Sequence, residues 1–120
     1  PSLAAAEMLA DEGLSATVVN CRFIKPHDQA LLASIVAENR TLLVVEEGTV
    51  VNGFGARMAA VVSEIDPLVH VAAHGVPDAF IEQAPRAKQL ESVGLDAPGI
   101  AARVREIRQA DSRGARLRAG

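Results

Sequence analysis

The sequence has no tryptophan and no tyrosine, and its only aromatic residues are Phe23, Phe54 and Phe80. Apolar residues nevertheless make up 49% of its 120 residues, mostly Ala, Val, Leu and Ile. This length fits one domain with a real core. The composition favours helices packed on a β-sheet over an aromatic-rich β-sandwich.

Cysteine is nearly absent as well, since Cys21 is the only one, which excludes an internal disulfide bond. A lone thiol is consistent with a reducing cytoplasm, and we expect it to be at least half-buried and unreactive. No apolar run approaches the roughly 20 residues of a membrane span. The sequence also has no signal-peptide pattern and no initiator Met at residue 1. We therefore predict a cytoplasmic protein, without a membrane partner, that is a fragment of a longer one.

An excess of positive charge is missing too, because 15 Asp and Glu outnumber 12 Lys and Arg, and the net charge of −3 argues against nucleic acid as a partner. The exception is residues 111–120, where Arg113, Arg116 and Arg118 lie near glycines. A short basic end is more often solvated than a binding arm. We predict one domain over 1–110 and a disordered basic tail over 111–120.

Apolar periodicity and capping residues predict an alternating order of elements. Ser2, Asp28 and Asp96 are predicted helix N-caps, and Gly13 a C-cap. Helices are predicted over 3–12, 29–38, 53–65, 86–93 and 97–109, and strands over 16–19, 41–45 and 69–72. The alternation indicates a three-layer α/β/α fold with a mostly parallel sheet. Because no strand precedes the first helix, we expect the chain to begin within a domain.

Asn52-Gly53-Phe54-Gly55 opens a predicted helix and is the first candidate site. Backbone amides at a helix start can hold a phosphate. However, Met58 stands where a dinucleotide-binding motif has its third glycine. We favour the interpretation that the glycines let the helix begin close to a neighbouring segment.

Other chemically active residue types do not form a catalytic set. Glu46 and Glu47 are adjacent on a predicted strand and point to opposite faces, so they cannot easily act on one atom. We expect one of them to cap a helix or to meet a partner subunit. Histidines are scattered at His27, His70 and His74, and a local hydrogen bond to Asp28 is expected for the first. The sequence predicts no catalytic, cofactor-binding or metal-binding residue, and such a domain usually shapes an interface.

Three stretches resemble the transketolase C-terminal domain family. Residues 13–28 are similar to its Asn-x-Arg-Phe-x-Lys-Pro-Leu-Asp landmark, 44–47 to a strand that ends in two glutamates, and 53–55 to a glycine-rich helix start. Two departures are His27 in place of Leu and Asn52 where Gly is common. Residues 75–82 and 94–100 favour the branch that makes 1-deoxy-D-xylulose 5-phosphate over transketolases and 2-oxo acid dehydrogenase β subunits. A free-standing partner-binding module is the alternative from another class.

The resemblance implies an enzyme that condenses pyruvate with D-glyceraldehyde 3-phosphate and releases CO2. It implies thiamine diphosphate and Mg²⁺ in the full-length protein, held by N-terminal and middle domains and not by these residues. This domain would pack on those domains and join a homodimer interface. Family domains have five strands, two of them before the first helix. We therefore expect the predicted strands 16–20 and 41–46 to leave a gap or to collapse onto each other.

Overall fold

A computed structural model describes residues 1–21 and 28–119, and the side chains of all of these up to residue 113. The elements are α1 Ser2–Asp11, α2 Gln29–Glu38, β1 Thr41–Thr49, α3 Phe54–Ile65, β2 His70–Val76, α4 Arg86–Ser92 and α5 Ala97–Ala119. The chain divides into two compact units, one of Val19–Gln83 and one of Pro1–Val18 with Ala84–Gly120. The predicted α/β class is confirmed.

The sheet of the first of these units is parallel, as the sequence predicted. β1 pairs with β2 in a register that places Thr41 opposite His70 and Val45 opposite His74. The register then shifts, and Thr49 lies opposite Val76. The unbroken apolar run at the start of β1 is typical of parallel strands, because both of their faces are normally covered.

The core of this sheet unit is a cluster of three buried valines, Val36 of α2, Val62 of α3 and Val69 before β2. Leu32, Leu42 and Val71 pack against it. Full burial of one such side chain contributes about 1.5–3 kcal/mol. Val62 is therefore the side chain through which α3 joins this core.

The other unit is a helical pair in which α1 packs on α5. The buried side chains are Ala5 and Leu9 on α1 and Ile100, Ala101 and Ile107 on α5. Across this pair, the Arg105 Nε–H donates to Glu12 Oε2 at 2.9 Å, and a second guanidinium nitrogen donates to Glu12 Oε1. The helices are thus joined by apolar burial and by a two-point ion pair.

Two helix ends in this unit share one stop signal, Leu-x-x-x-Gly-Leu. After α1, Gly13 has φ of +81° and the Leu14 N–H donates to the Leu9 carbonyl at 2.9 Å. After α4, Gly94 has φ of +72° and the Leu95 N–H donates to the Leu90 carbonyl at 2.8 Å. Both are Schellman motifs, in which glycine accepts the left-handed conformation. The predicted C-terminal role of Gly13 is confirmed.

Helix starts follow the predicted caps at two of three places. Asp28 Oδ1 accepts from the Leu31 N–H at 2.9 Å, and Asp96 Oδ1 accepts from the Gly99 N–H at 3.0 Å. The prediction for Ser2 was wrong. Pro1 is the N-cap and its carbonyl accepts from the Ala5 N–H at 2.9 Å, so Ser2 lies in the first helical turn.

The predicted strand over 16–19 is absent from the described part of the chain. Residues 16–18 are exposed, with Val18 at 38%, and β1 pairs with β2 instead of collapsing onto this segment. A β-branched run forms a strand only beside a hydrogen-bonding neighbour, and β-propensity alone does not supply one.

The C-terminal end of α5 also differs from the sequence prediction. We expected the helix to stop near residue 109, but α5 continues through Ala119. Alanine, arginine and leucine dominate this end, and they favour helix strongly enough to offset Gly114. Within residues 1–21 and 28–119, no helix combines the length and hydropathy that a membrane crossing requires.

Candidate functional site

The site with the most specific geometry lies between β1 and the start of α3. The Glu46 carboxylate accepts the Phe54 N–H on Oε2 at 2.8 Å and the Gly55 N–H on Oε1 at 3.3 Å. Gly53 is the N-cap residue and offers no side chain for this purpose. A negative charge here also complements the positive end of the helix dipole. Glu46 therefore caps α3 from a strand.

Three glycines make room for this carboxylate and for the close approach of α3. A Cβ on Gly53 would stand 2.7 Å from Glu46 Oε1, and one on Gly75 would stand 2.8 Å from Glu46 Cγ. A Cβ on Gly55 would stand 2.6 Å from the Cβ of Ala73. These distances are too short for any side chain. The interpretation that the glycines bring the helix close to a neighbouring segment is confirmed.

The turn that leads into α3 depends on Asn52. Its φ is +55°, the one positive value among the described non-glycine residues. Asparagine tolerates this left-handed conformation better than most residues, which accounts for its presence where the family pattern has glycine. The turn is tied to the sheet, because the Val50 N–H donates to the Val76 carbonyl at 3.0 Å. Asn52 thus directs the chain from the sheet into the glycine-rich helix start.

The amides at this helix start could bind an anion, but the Glu46 carboxylate already occupies them. The amides of Phe54 and Gly55 would be the donors for a phosphate, and Glu46 already accepts both of them. A phosphate in the same place would also lie against a carboxylate of like charge. The phosphate interpretation of 52–55 therefore does not fit the structure.

The remaining candidate residues do not come together. Glu47 is exposed and, by strand alternation, faces away from the side that caps α3. His70 and His74 lie on β2, opposite Thr41 and Val45. Within the described residues, no three His, Cys, Asp or Glu side chains are grouped so that they could hold a metal ion.

Two further expectations concern single residues. Cys21 is exposed, so the expectation of a buried or half-buried thiol was wrong. It follows the irregular segment where a strand had been predicted, so no sheet covers it. The predicted hydrogen bond of His27 lies outside the described residues.

Sequence reasoning missed the Glu12–Arg105 pair, because its partners are 93 residues apart. The hydrogen bond from Arg105 lowers the pKa of Glu12, and the bond to Glu12 raises the pKa of Arg105. The sequence predicted that either Glu46 or Glu47 caps a helix or meets a partner subunit. The alternation of side chains along β1 could not tell which of the two would face α3.

Comparison with known proteins gives a consistent family. The model of the transketolase C-terminal domain matches residues 1–100. A 1-deoxy-D-xylulose-5-phosphate synthase of Synechococcus sp. (strain JA-2-3B'a(2-13)) is 43% identical over 92% of this chain. Synthases of the same name from Syntrophus aciditrophicus and Nitrosomonas europaea are 44% identical over 89% and 41% identical over 81%. The chain spans only 17%, 17% and 16% of these relatives.

Proposed function

The chain belongs to the transketolase C-terminal domain family, and we propose that it is this domain of a 1-deoxy-D-xylulose-5-phosphate synthase. The observation that carries the proposal is the 43% identity to such a synthase across 92% of the chain. The relatives are about five times as long as the chain, since the 110 matched residues make up 17% of the Synechococcus synthase. The proposed activity therefore belongs to a longer polypeptide.

The proposed reaction condenses pyruvate with D-glyceraldehyde 3-phosphate and releases CO2. Thiamine diphosphate with Mg²⁺ supplies the chemistry of such a condensation when it is bound. The described residues do not fit either group, because Glu46 occupies the α3 amides and no metal-ligating cluster is present among them. We assign both cofactors to other domains of the enzyme, which we place in the cytoplasm.

The proposed role of this domain is to pack against its own N-terminal and middle domains and to join a homodimer interface. Its most specific polar contact, the Glu46 cap, stabilises the start of a helix. The three glycines around it likewise serve close packing. These features support a structural role for the domain in the enzyme.

A domain exchange tests the proposal directly. In the Synechococcus synthase, the segment that matches this chain is replaced by residues 1–120, and product formation is measured from both substrates with thiamine diphosphate and Mg²⁺. We expect the chimera to keep activity within about tenfold of the parent, a change of about 1.4 kcal/mol in barrier.

Two controls accompany the chimera, the synthase without the segment and residues 1–120 alone. We expect neither to form product. A chimera that folds as a synthase but is as inactive as the deletion would contradict the family role. Turnover by residues 1–120 alone would contradict the assignment of catalysis to other domains.

A further inference from the structure

Phe80 is the most exposed large apolar residue among the described residues, with 93% of its surface accessible. Phenylalanine is one of the residue types most often buried in folded proteins. Phe80 lies after β2, in the motif over 75–82, of which only Gly75 belongs to the Glu46 site. An exposed aromatic ring in a structured segment is a candidate contact for another surface.

The backbone on either side of Phe80 is constrained. The Ala79 N–H donates to the Pro77 carbonyl at 2.8 Å, which closes a three-residue turn immediately before Phe80. Pro77 and Pro85 fix φ on either side of the segment, and residues 77–85 form neither helix nor strand. A segment whose backbone is constrained in this way loses less conformational entropy when it binds.

A second exposed apolar residue lies just beyond the sheet at the same edge. Val51 is 51% exposed and follows the end of β1. Because β1 and β2 are parallel and the Val50 N–H donates to the Val76 carbonyl, both following segments start from one edge. We call Val51, Pro77 and Phe80 the carboxyl-edge face.

We propose that the carboxyl-edge face packs against the part of the same polypeptide that lies outside these 120 residues. This inference rests on the proposed function, since the synthases that the chain matches are about five times as long. A segment on the same polypeptide meets the face at a high effective concentration, which a second copy or a separate protein does not have. A permanent intramolecular contact also explains how a protein tolerates a nearly fully exposed phenylalanine.

The test uses the full-length polypeptide with Phe80→Ser and, as a matched control, Leu68→Ser. Leu68 is 80% exposed and precedes β2, so it lies at the opposite edge of the sheet. Cleavage after Glu82 by a glutamate-specific protease is followed under native conditions, together with the native mass. Phe80→Leu serves as the conservative variant that keeps an apolar contact.

We expect Phe80→Ser to accelerate cleavage about tenfold, because opening of a packed segment limits native-state proteolysis. Phe80→Leu should give a smaller acceleration, Leu68→Ser none, and the native mass should stay constant. Unchanged cleavage in Phe80→Ser would overturn the inference, and so would dissociation into smaller species at an unchanged cleavage rate, which would assign the face to a second copy. Failure of the proposed function would appear separately, as an unsubstituted full-length protein that forms no 1-deoxy-D-xylulose 5-phosphate.

Discussion

At the residue scale, Glu46 links the sheet to a helix start that has no capping side chain of its own. Its two accepted hydrogen bonds join β1 to the first turn of α3, eight and nine residues further along the chain. Hydrogen bonds to a charged acceptor are stronger than neutral ones. The site therefore concentrates much of the local stability in a single carboxylate.

We expect Glu46→Gln to destabilise the protein by about 1–2 kcal/mol, since the amide removes the charge and one of the two acceptors. Urea-induced unfolding measures the change. Glu64→Gln, at an exposed position near the other end of α3, is the matched control and should stay within about 0.5 kcal/mol. Equal midpoints for the two variants would contradict the capping role.

Asn52 gives a second prediction at this scale, because its φ of +55° penalises most side chains. Asn52→Val should cost about 1–2 kcal/mol, the penalty of a left-handed conformation with a Cβ branch. Asn52→Gly should stay within about 0.5 kcal/mol of the parent, as glycine accepts the conformation freely. Thermal unfolding of both variants checks this, and an equal loss in both would show that the side chain matters more than the backbone.

At the element scale, the α1–α5 pair should respond to acid through Glu12. Its pKa is lowered by the hydrogen bond from Arg105, so the unfolded chain binds the proton more readily than the folded one. The pair therefore stabilises the fold above the unfolded pKa of a glutamate, and the contribution disappears as the pH falls through the lower folded pKa. Glu12→Gln should flatten this part of the stability profile between neutral pH and about pH 3.

Thermal unfolding as a function of pH measures the effect, with Glu91→Gln as the control. Glu91 pairs with Lys88 within one exposed helix, a contact that contributes little. The control should keep the slope of the parent protein. A parent profile as flat as that of Glu12→Gln would show that the pair does not stabilise the fold.

Elements whose signals are local could be predicted from the sequence, and elements that depend on distant partners could not. The bounds of α2 follow from Asp28 and its apolar stripe, and the structure has the predicted range. The run over 16–19 has strand-forming residues but no paired neighbour, so its prediction was wrong. Similarly, the glycine spacing indicated that the start of α3 lies close to a neighbouring segment. It could not indicate that Glu46 caps the helix, because this depends on which face of β1 the side chain occupies.

At the scale of the whole molecule, pattern reading identified no catalytic constellation, and the proposed function followed from resemblance alone. The physical reason is that the proposed chemistry resides in a bound cofactor and in other domains. The residues here that the family pattern marks, such as Gly53 and Gly55, are fixed by packing. Pattern reading could therefore identify their spacing but not an activity.

The irregular segment over 16–19 carries a prediction at this scale. Thr17 and Val18 are exposed and Val19 is half-buried, and the family pattern places a strand there. If the proposed family fold supplies a neighbouring strand in the full-length polypeptide, the amides of Thr17, Val18 and Val19 should exchange slowly with solvent there. Hydrogen exchange resolved by residue, compared with exposed Ala60 and Gln109 as helical references, measures this. Fast exchange of all three amides would contradict the prediction.

The two helix stops have a consequence for protein engineering. Leu9 to Leu14 and Leu90 to Leu95 are six-residue cassettes with one pattern and one set of backbone bonds. Their interior residues, Ala-Asp-Glu and Glu-Ser-Val, differ completely, so one pattern ends two helices with different residues at three of its six positions. Because Leu9 and Leu95 are buried, we expect the cassette to end a helix in another protein only where its leucines are covered.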